Sequence, residues 1–226
     1  MPGEVIVDVG CGAGQSTLQL AERVGPAGRV IGVDVAPQLL DLARRRAAGL
    51  GQASFVECDA SRLDLPEECA NGLFSRFGVM AFADPVGAFA SLRRVLKPTG
   101  RLAFVCWRPL EENELDHLPL RAAGLAHLVD RTPFSFEAPH EVRVTLEAAG
   151  FAQISIEPHD QVVSSGGADE MASVLLAVGP LGRILRENPE LRPEAERRVR
   201  AALATRDDCG CVALKAAVWI VAARAR

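Results

Sequence analysis

Val5-Ile6-Val7-Asp8-Val9-Gly10-Cys11-Gly12-Ala13-Gly14-Gln15-Ser16-Thr17 decides how the rest of this 226-residue chain is read. Its first five residues are apolar and β-branched apart from Asp8, the composition of a strand buried on both faces of a parallel sheet. Three glycines at alternate positions then break the run. Ser16 and Thr17 are the expected caps of a helix that continues Leu18-Gln19-Leu20-Ala21-Glu22-Arg23-Val24. Strand, glycine turn and helix in this order bring the backbone close to a ligand. The helix N-terminus adds unpaired N–H groups and the positive end of its dipole.

Nicotinamide and flavin enzymes use such a turn too, but here the glycines fall as Gly10-x-Gly12-x-Gly14. Gln15 stands where a dinucleotide fingerprint places its third glycine. A second strand, Arg29 to Val35, ends on Asp34, an acid placed to accept hydrogen bonds from both hydroxyls of a ribose. Glu57-Cys58-Asp59-Ala60 closes a third strand, and Leu96-Lys97-Pro98-Thr99-Gly100 is expected to turn into a fifth, Arg101 to Trp107. Taken in order, these motifs resemble those of class I S-adenosylmethionine-dependent methyltransferases, over residues 5 to 107.

The resemblance implies S-adenosyl-L-methionine as cofactor and S-adenosyl-L-homocysteine as product. Carried over residue by residue, it assigns cofactor contacts to Asp8, Gly10, Gly12, Gly14, Gln15 and Ser16 in and around the turn, and to Asp34 and Val35 after strand two. Asp59 and Ala60 would read the adenine, with an N-cap role for Asp59 equally open. Ser75, Arg76 and Phe77 would meet the methionine half and begin the acceptor pocket. The implied fold is α/β: a doubly wound, seven-stranded, mostly parallel, Rossmann-like sheet with right-handed crossovers. A single domain is expected over residues 1–226, with a cofactor-binding half at 1–107 and a substrate-side half at 108–226.

The later chain is expected to carry helical inserts after strands five and six, at about 109–139 and 166–208, with two helices inside 168–206. Family members usually place helices over the substrate before strand one, whereas here strand one starts within a few residues of Met1. The two inserts are expected to serve instead. Met171, Val174, Leu175, Val178, Leu181, Ile184 and Leu185 form an apolar stripe at helical spacing. It is expected to lean over the acceptor pocket, hinged at Ser164 to Gly167, or to pack on the outside of the sheet.

Composition narrows the acceptor. The net charge is −4 and no lysine–arginine block stands out, which speaks against nucleic acid. The sequence shows no secretory signal and no apolar run able to span a bilayer, and its six cysteines are scattered, so a cytoplasmic protein is expected. Cys209-Gly210-Cys211 has no matching Cys or His pair nearby, and no metal site is expected. A small, partly apolar molecule is therefore the expected partner. In-line methyl transfer requires alignment of nucleophile, methyl and sulfur, and a base only where the acceptor must lose a proton. His117 and His140 are weak catalytic candidates, each also readable as a surface histidine. Two alternatives stand: a cofactor-fold binding protein with weak or no catalysis, and a nicotinamide-dependent oxidoreductase.

Overall fold

β1 (Val5–Val9) buries Ile6 through Val9 and pairs in parallel with β2 (Arg29–Asp34) on one side. On its other side it pairs in parallel with β4 (Ala70–Arg76), while β2 pairs with β3 (Ala53–Glu57) and β4 with β5 (Leu96–Trp107), both in parallel. With β6 (Phe151–Val163) and β7 (Leu214–Ala225), the sheet has seven strands in the order β3-β2-β1-β4-β5-β7-β6. The chain works outward from β1 to β3 and then returns to β4. That reversal places a switch point between β1 and β4, the position where open α/β sheets bind ligands. The computed structural model describes residues 2–226, and its fold is the doubly wound, Rossmann-like architecture expected from the motifs.

Crossover helices α1 (Gln15–Val24), α2 (Pro37–Arg46) and α3 (Pro85–Arg94) follow β1, β2 and β4. In α1, Thr17, Ala21 and Val24 recur at helical spacing and are buried. Ala21 and Val24 pack with Ile6 and Val30 of the first two strands. Phe89 of α3 stacks on Phe104 of β5 and meets Phe151 of β6 edge-on, with ring centroids 5.6 and 6.4 Å away.

Three expectations are corrected. Ser16 and Thr17 do not cap α1: Gly14 occupies the N-cap in the left-handed conformation, and both hydroxyls turn inward to Asp8. Lys97-Pro98-Thr99-Gly100 is not a turn before β5 but lies within it. Ala70 pairs with Leu96 and Gly72 with Arg101, so residues 97–100 bulge from the ladder, where the missing N–H of Pro98 breaks no pair. The third concerns the later helices.

α4 (Glu114–Ala123) and α5 (Pro139–Ala148) precede β6. Residues 168–206 then form three α-helices rather than two: α6 (Ala168–Leu175), α7 (Gly179–Glu187) and α8 (Arg192–Ala204). α6 ends at Leu175 and α7 begins anew at Gly179, whose φ of +68 does not continue the preceding helix; Pro180 follows in the first turn, where its missing N–H breaks no bond.

The chain divides into two compact units. The first comprises the residues through Cys106, Ala138–Glu157 and Trp219–Arg226; the second comprises Trp107–Glu137 and Pro158–Val218. The second has its own core, in which Leu120, Met171, Leu181, Leu185, Val199 and Leu203 are fully buried or nearly so. Most of the apolar stripe is spent there, but Val174 and Val178 stay 39% and 55% exposed. Among the described residues no helix is long and apolar enough to cross a membrane.

Candidate functional site

Within the first unit, a cavity of about 400 Å³ opens where β1, β2, β3 and β4 end. Seven residues singled out from the sequence line it: Gly10, Asp34, Val35, Asp59, Ala60, Arg76 and Phe77. Val9, Val33, Cys58, Gly78, Ala81 and Phe82 complete the wall. Gly78 carries no motif of its own, and its part comes from its contacts with Gly10 and Ser75.

Asp34 closes the glycine turn onto β2. Its Oδ2 accepts the Gly12 N–H at 2.7 Å, and its Oδ1 accepts the Ala36 N–H at 2.9 Å. A carboxylate oxygen can accept two hydrogen bonds, so each keeps one position for a ligand hydroxyl. The N–H groups of Gly10 and Cys11 both go to the Val33 carbonyl, which ties the turn to the sheet. A Cβ built on Gly12, at φ +54, would meet nothing within 4 Å, so this edge of the turn faces open space. Gly14 serves packing instead: a Cβ there would stand 2.9 Å from the Ala43 Cβ of α2.

Asp59 both lines the cavity and caps the short helical turn Ala60–Arg62. Its Oδ1 accepts the Ser61 N–H and hydroxyl at 2.9 and 2.8 Å. The Ser61 N–H, then its hydroxyl, hold the carboxyl below the usual aspartate range. Phe77, directly after β4, sits at φ +67 on the cavity wall. A bulky side chain in that region is strained, and such strain is characteristic of functional sites.

Asp8, Gly12, Gly14, Gln15, Ser16 and Ser75 do not line the cavity. Asp8 is fully buried, and its Oδ2 accepts the hydroxyls of Ser16 at 2.8 Å and Thr17 at 2.6 Å. Its Oδ1 is buried with no hydrogen-bond partner among the described residues. Burial pushes this carboxyl upward, against the opposing pull of the Thr17 and Ser16 hydroxyls. Ser75 donates to the Val9 carbonyl at 2.8 Å and accepts the Gly78 N–H at 3.1 Å, pinning the end of β4 to β1. Gln15 is exposed at the start of α1. His140 is exposed in the first turn of α5, and His117 of α4 faces a charged surface cleft with Glu114, Arg121 and Lys215. Neither histidine lines the cavity at the strand ends.

Comparison with known proteins points the same way. The family described as "Methyltransferase domain" matches residues 6–100. The chain is 31% identical over 169 residues to aklanonic acid methyltransferase DauC of Streptomyces sp. strain C5, covering 67% of this chain and 76% of that protein. It is also 31% identical over 163 residues to demethylmenaquinone methyltransferase of Thermus thermophilus, covering 65% and 74% respectively. Among solved structures, an S-adenosylmethionine-dependent methyltransferase from Aquifex aeolicus superposes with a TM-score of 0.57 at 19% identity. That match covers 97% of this chain and 82% of that one, a likeness of fold.

Proposed function

The chain belongs to the class I S-adenosylmethionine-dependent methyltransferases, and we propose that the cavity at the ends of β1 to β4 is where it holds the cofactor. Asp34 takes the two ribose hydroxyls on the acceptor positions left by Gly12 and Ala36, with Val35 beside it. Asp59 and Ala60 read the adenine, Asp59 through the carboxylate oxygen that its cap leaves free. The open edge at Gly12, with Gln15 at the start of α1, receives the methionine end, while Gly14 and Ser16 hold the turn through packing on α2 and the hydrogen bond to Asp8. Arg76 and Phe77 form the wall toward the acceptor. Asp8 and Ser75 act as positioning residues. When bound, the cofactor supplies an electrophilic methyl group on a sulfonium, open to in-line attack.

The acceptor is read as a small, partly apolar molecule. Both quoted relatives are named for small organic acceptors, and the net charge of −4 gives no electrostatic footprint for nucleic acid. All six cysteines are free, which supports a reducing, cytoplasmic setting. The bonding of Asp34 is the single observation that carries the cofactor assignment. Calorimetric titration with S-adenosylhomocysteine and with NADH tests it: binding of the first and not the second is expected. Binding of NADH alone would overturn the reading. Transfer of radiolabelled methyl to a fraction of an extracted metabolite pool then tests catalysis.

A further inference from the structure

The second unit encloses a cavity of its own, about 410 Å³, between α4, α6 and α7. Its wall is mainly apolar, built from Leu115, Phe134, Met171, Val174, Leu175 and Val178. The partly exposed Val174 and Val178 are those members of the apolar stripe that the core leaves over. A dry cavity of roughly 150 Å³ accommodates a benzene ring, so this one has room for a molecule of two rings.

Three carboxylates stand on that wall. Asp130 and Glu187 are both paired with Arg183. Asp116 is different: it is 7% exposed, and its side chain has no hydrogen-bond or ion-pair partner among the described residues. Buried polar groups are normally satisfied, and leaving one bare costs free energy unless a ligand completes it. Gly179, at φ +68, lets α7 pass close to this carboxylate; a Cβ there would come 2.9 Å from the Asp116 Oδ1. The α7 backbone thus lies against one side of the carboxylate, and Asp116 still lines the cavity.

We infer that this cavity binds an apolar, ring-sized small molecule bearing one hydroxyl or N–H group, which donates its hydrogen bond to the Asp116 carboxylate. Identifying that molecule with the methyl acceptor rests on the methyltransferase reading above; the pocket itself stands on its residues alone. Desolvation of Asp116, which pushes its carboxyl up to about 6, makes it a stronger acceptor for such a donor. The chemistry asked of the ligand is that of a phenol, an enol or a ring N–H.

The test uses the full chain at pH 8 with two fluorescent probes, 2-naphthol and its O-methyl ether; the ether lacks the donor and carries one extra methyl group, and the Asp116→Leu comparison separates the hydrogen bond from size. Wild type is expected to bind 2-naphthol about tenfold or more tightly than the ether, as for a hydrogen bond to a charged acceptor. Asp116→Leu should abolish that preference. Val178→Trp, which places a large side chain at an exposed position of the wall, should weaken both probes. Equal binding of the two probes by wild type, or affinities indifferent to Val178→Trp, would overturn the inference. S-adenosylhomocysteine is titrated in the same samples and keeps the two readings apart. If it binds while neither probe does, the pocket fails and the cofactor site stands. If 2-naphthol binds as expected and S-adenosylhomocysteine does not, the pocket stands and the cofactor site fails.

Discussion

Gly10 and Gly78 meet backbone to backbone where β1 and β4 end: a Cβ on Gly10 would stand 2.5 Å from the Gly78 Cα, and one on Gly78 2.7 Å from the Gly10 Cα. Both residues line the cavity at the strand ends. The glycine turn is therefore held by the first unit's own backbone from one side, while Gly12 faces open space on another.

This contrast separates two glycines that look alike in the motif. Gly10→Ala should cost about 2–4 kcal/mol of stability, combining overpacking with a left-handed alanine. Gly12→Ala carries only the conformational part, about 1–2 kcal/mol, and should lose S-adenosylhomocysteine affinity out of proportion to its stability. Urea midpoints and calorimetry on both variants check this. Equal loss of stability at the two positions would refute the backbone contact as the cause.

Asp34→Ala removes the acceptor of the Gly12 and Ala36 N–H groups together with the acceptor for the ribose. Affinity for S-adenosylhomocysteine should fall by about 1.5–3 kcal/mol, with a smaller loss of stability of about 1 kcal/mol from the freed turn. An unchanged affinity in a folded variant would remove Asp34 from the site.

Asp116 sets a pH dependence of stability with a definite sign. Burial pushes its carboxyl from 3.8 up to about 6, so between these values the folded chain holds a proton that the unfolded chain has released. Stability contributed by this group therefore falls as pH rises from about 4 to about 6 and stays low above that. Asp130, Arg183, Arg186 and Glu187 share the same cavity wall, and the comparison is therefore made against a single substitution. Asp116→Asn should be more stable than wild type by up to about 3 kcal/mol at pH 8, with the gain shrinking toward pH 4. A gain of the same size at both pH values would show that the group's ionisation is not responsible.

The β-branched run before Gly10, the glycine spacing and the acid that ends β2 are local features, and they suffice for the strand–turn–helix unit and the parallel sheet. The reason is physical: burial on both faces demands a continuous apolar run, and a close turn demands glycine. What Asp8, Ser16 and Ser75 do was not legible in this way, because polar residues beside a ligand turn can face the ligand or the core with the same sequence. Packing decided it, turning Asp8 inward to two hydroxyls and Ser75 to the Val9 carbonyl. Gly78 and Asp116 carry no local pattern at all. One matters through a residue 68 positions earlier in the sequence, the other through a cavity lined by three separate helices. The sequence by itself thus determined the family, the sheet and the acid at the end of β2, whose physical causes are local. Only the tertiary structure decided which polar groups are spent on holding the fold and which are left bare for a ligand, since that depends on residues brought together from distant parts of the chain.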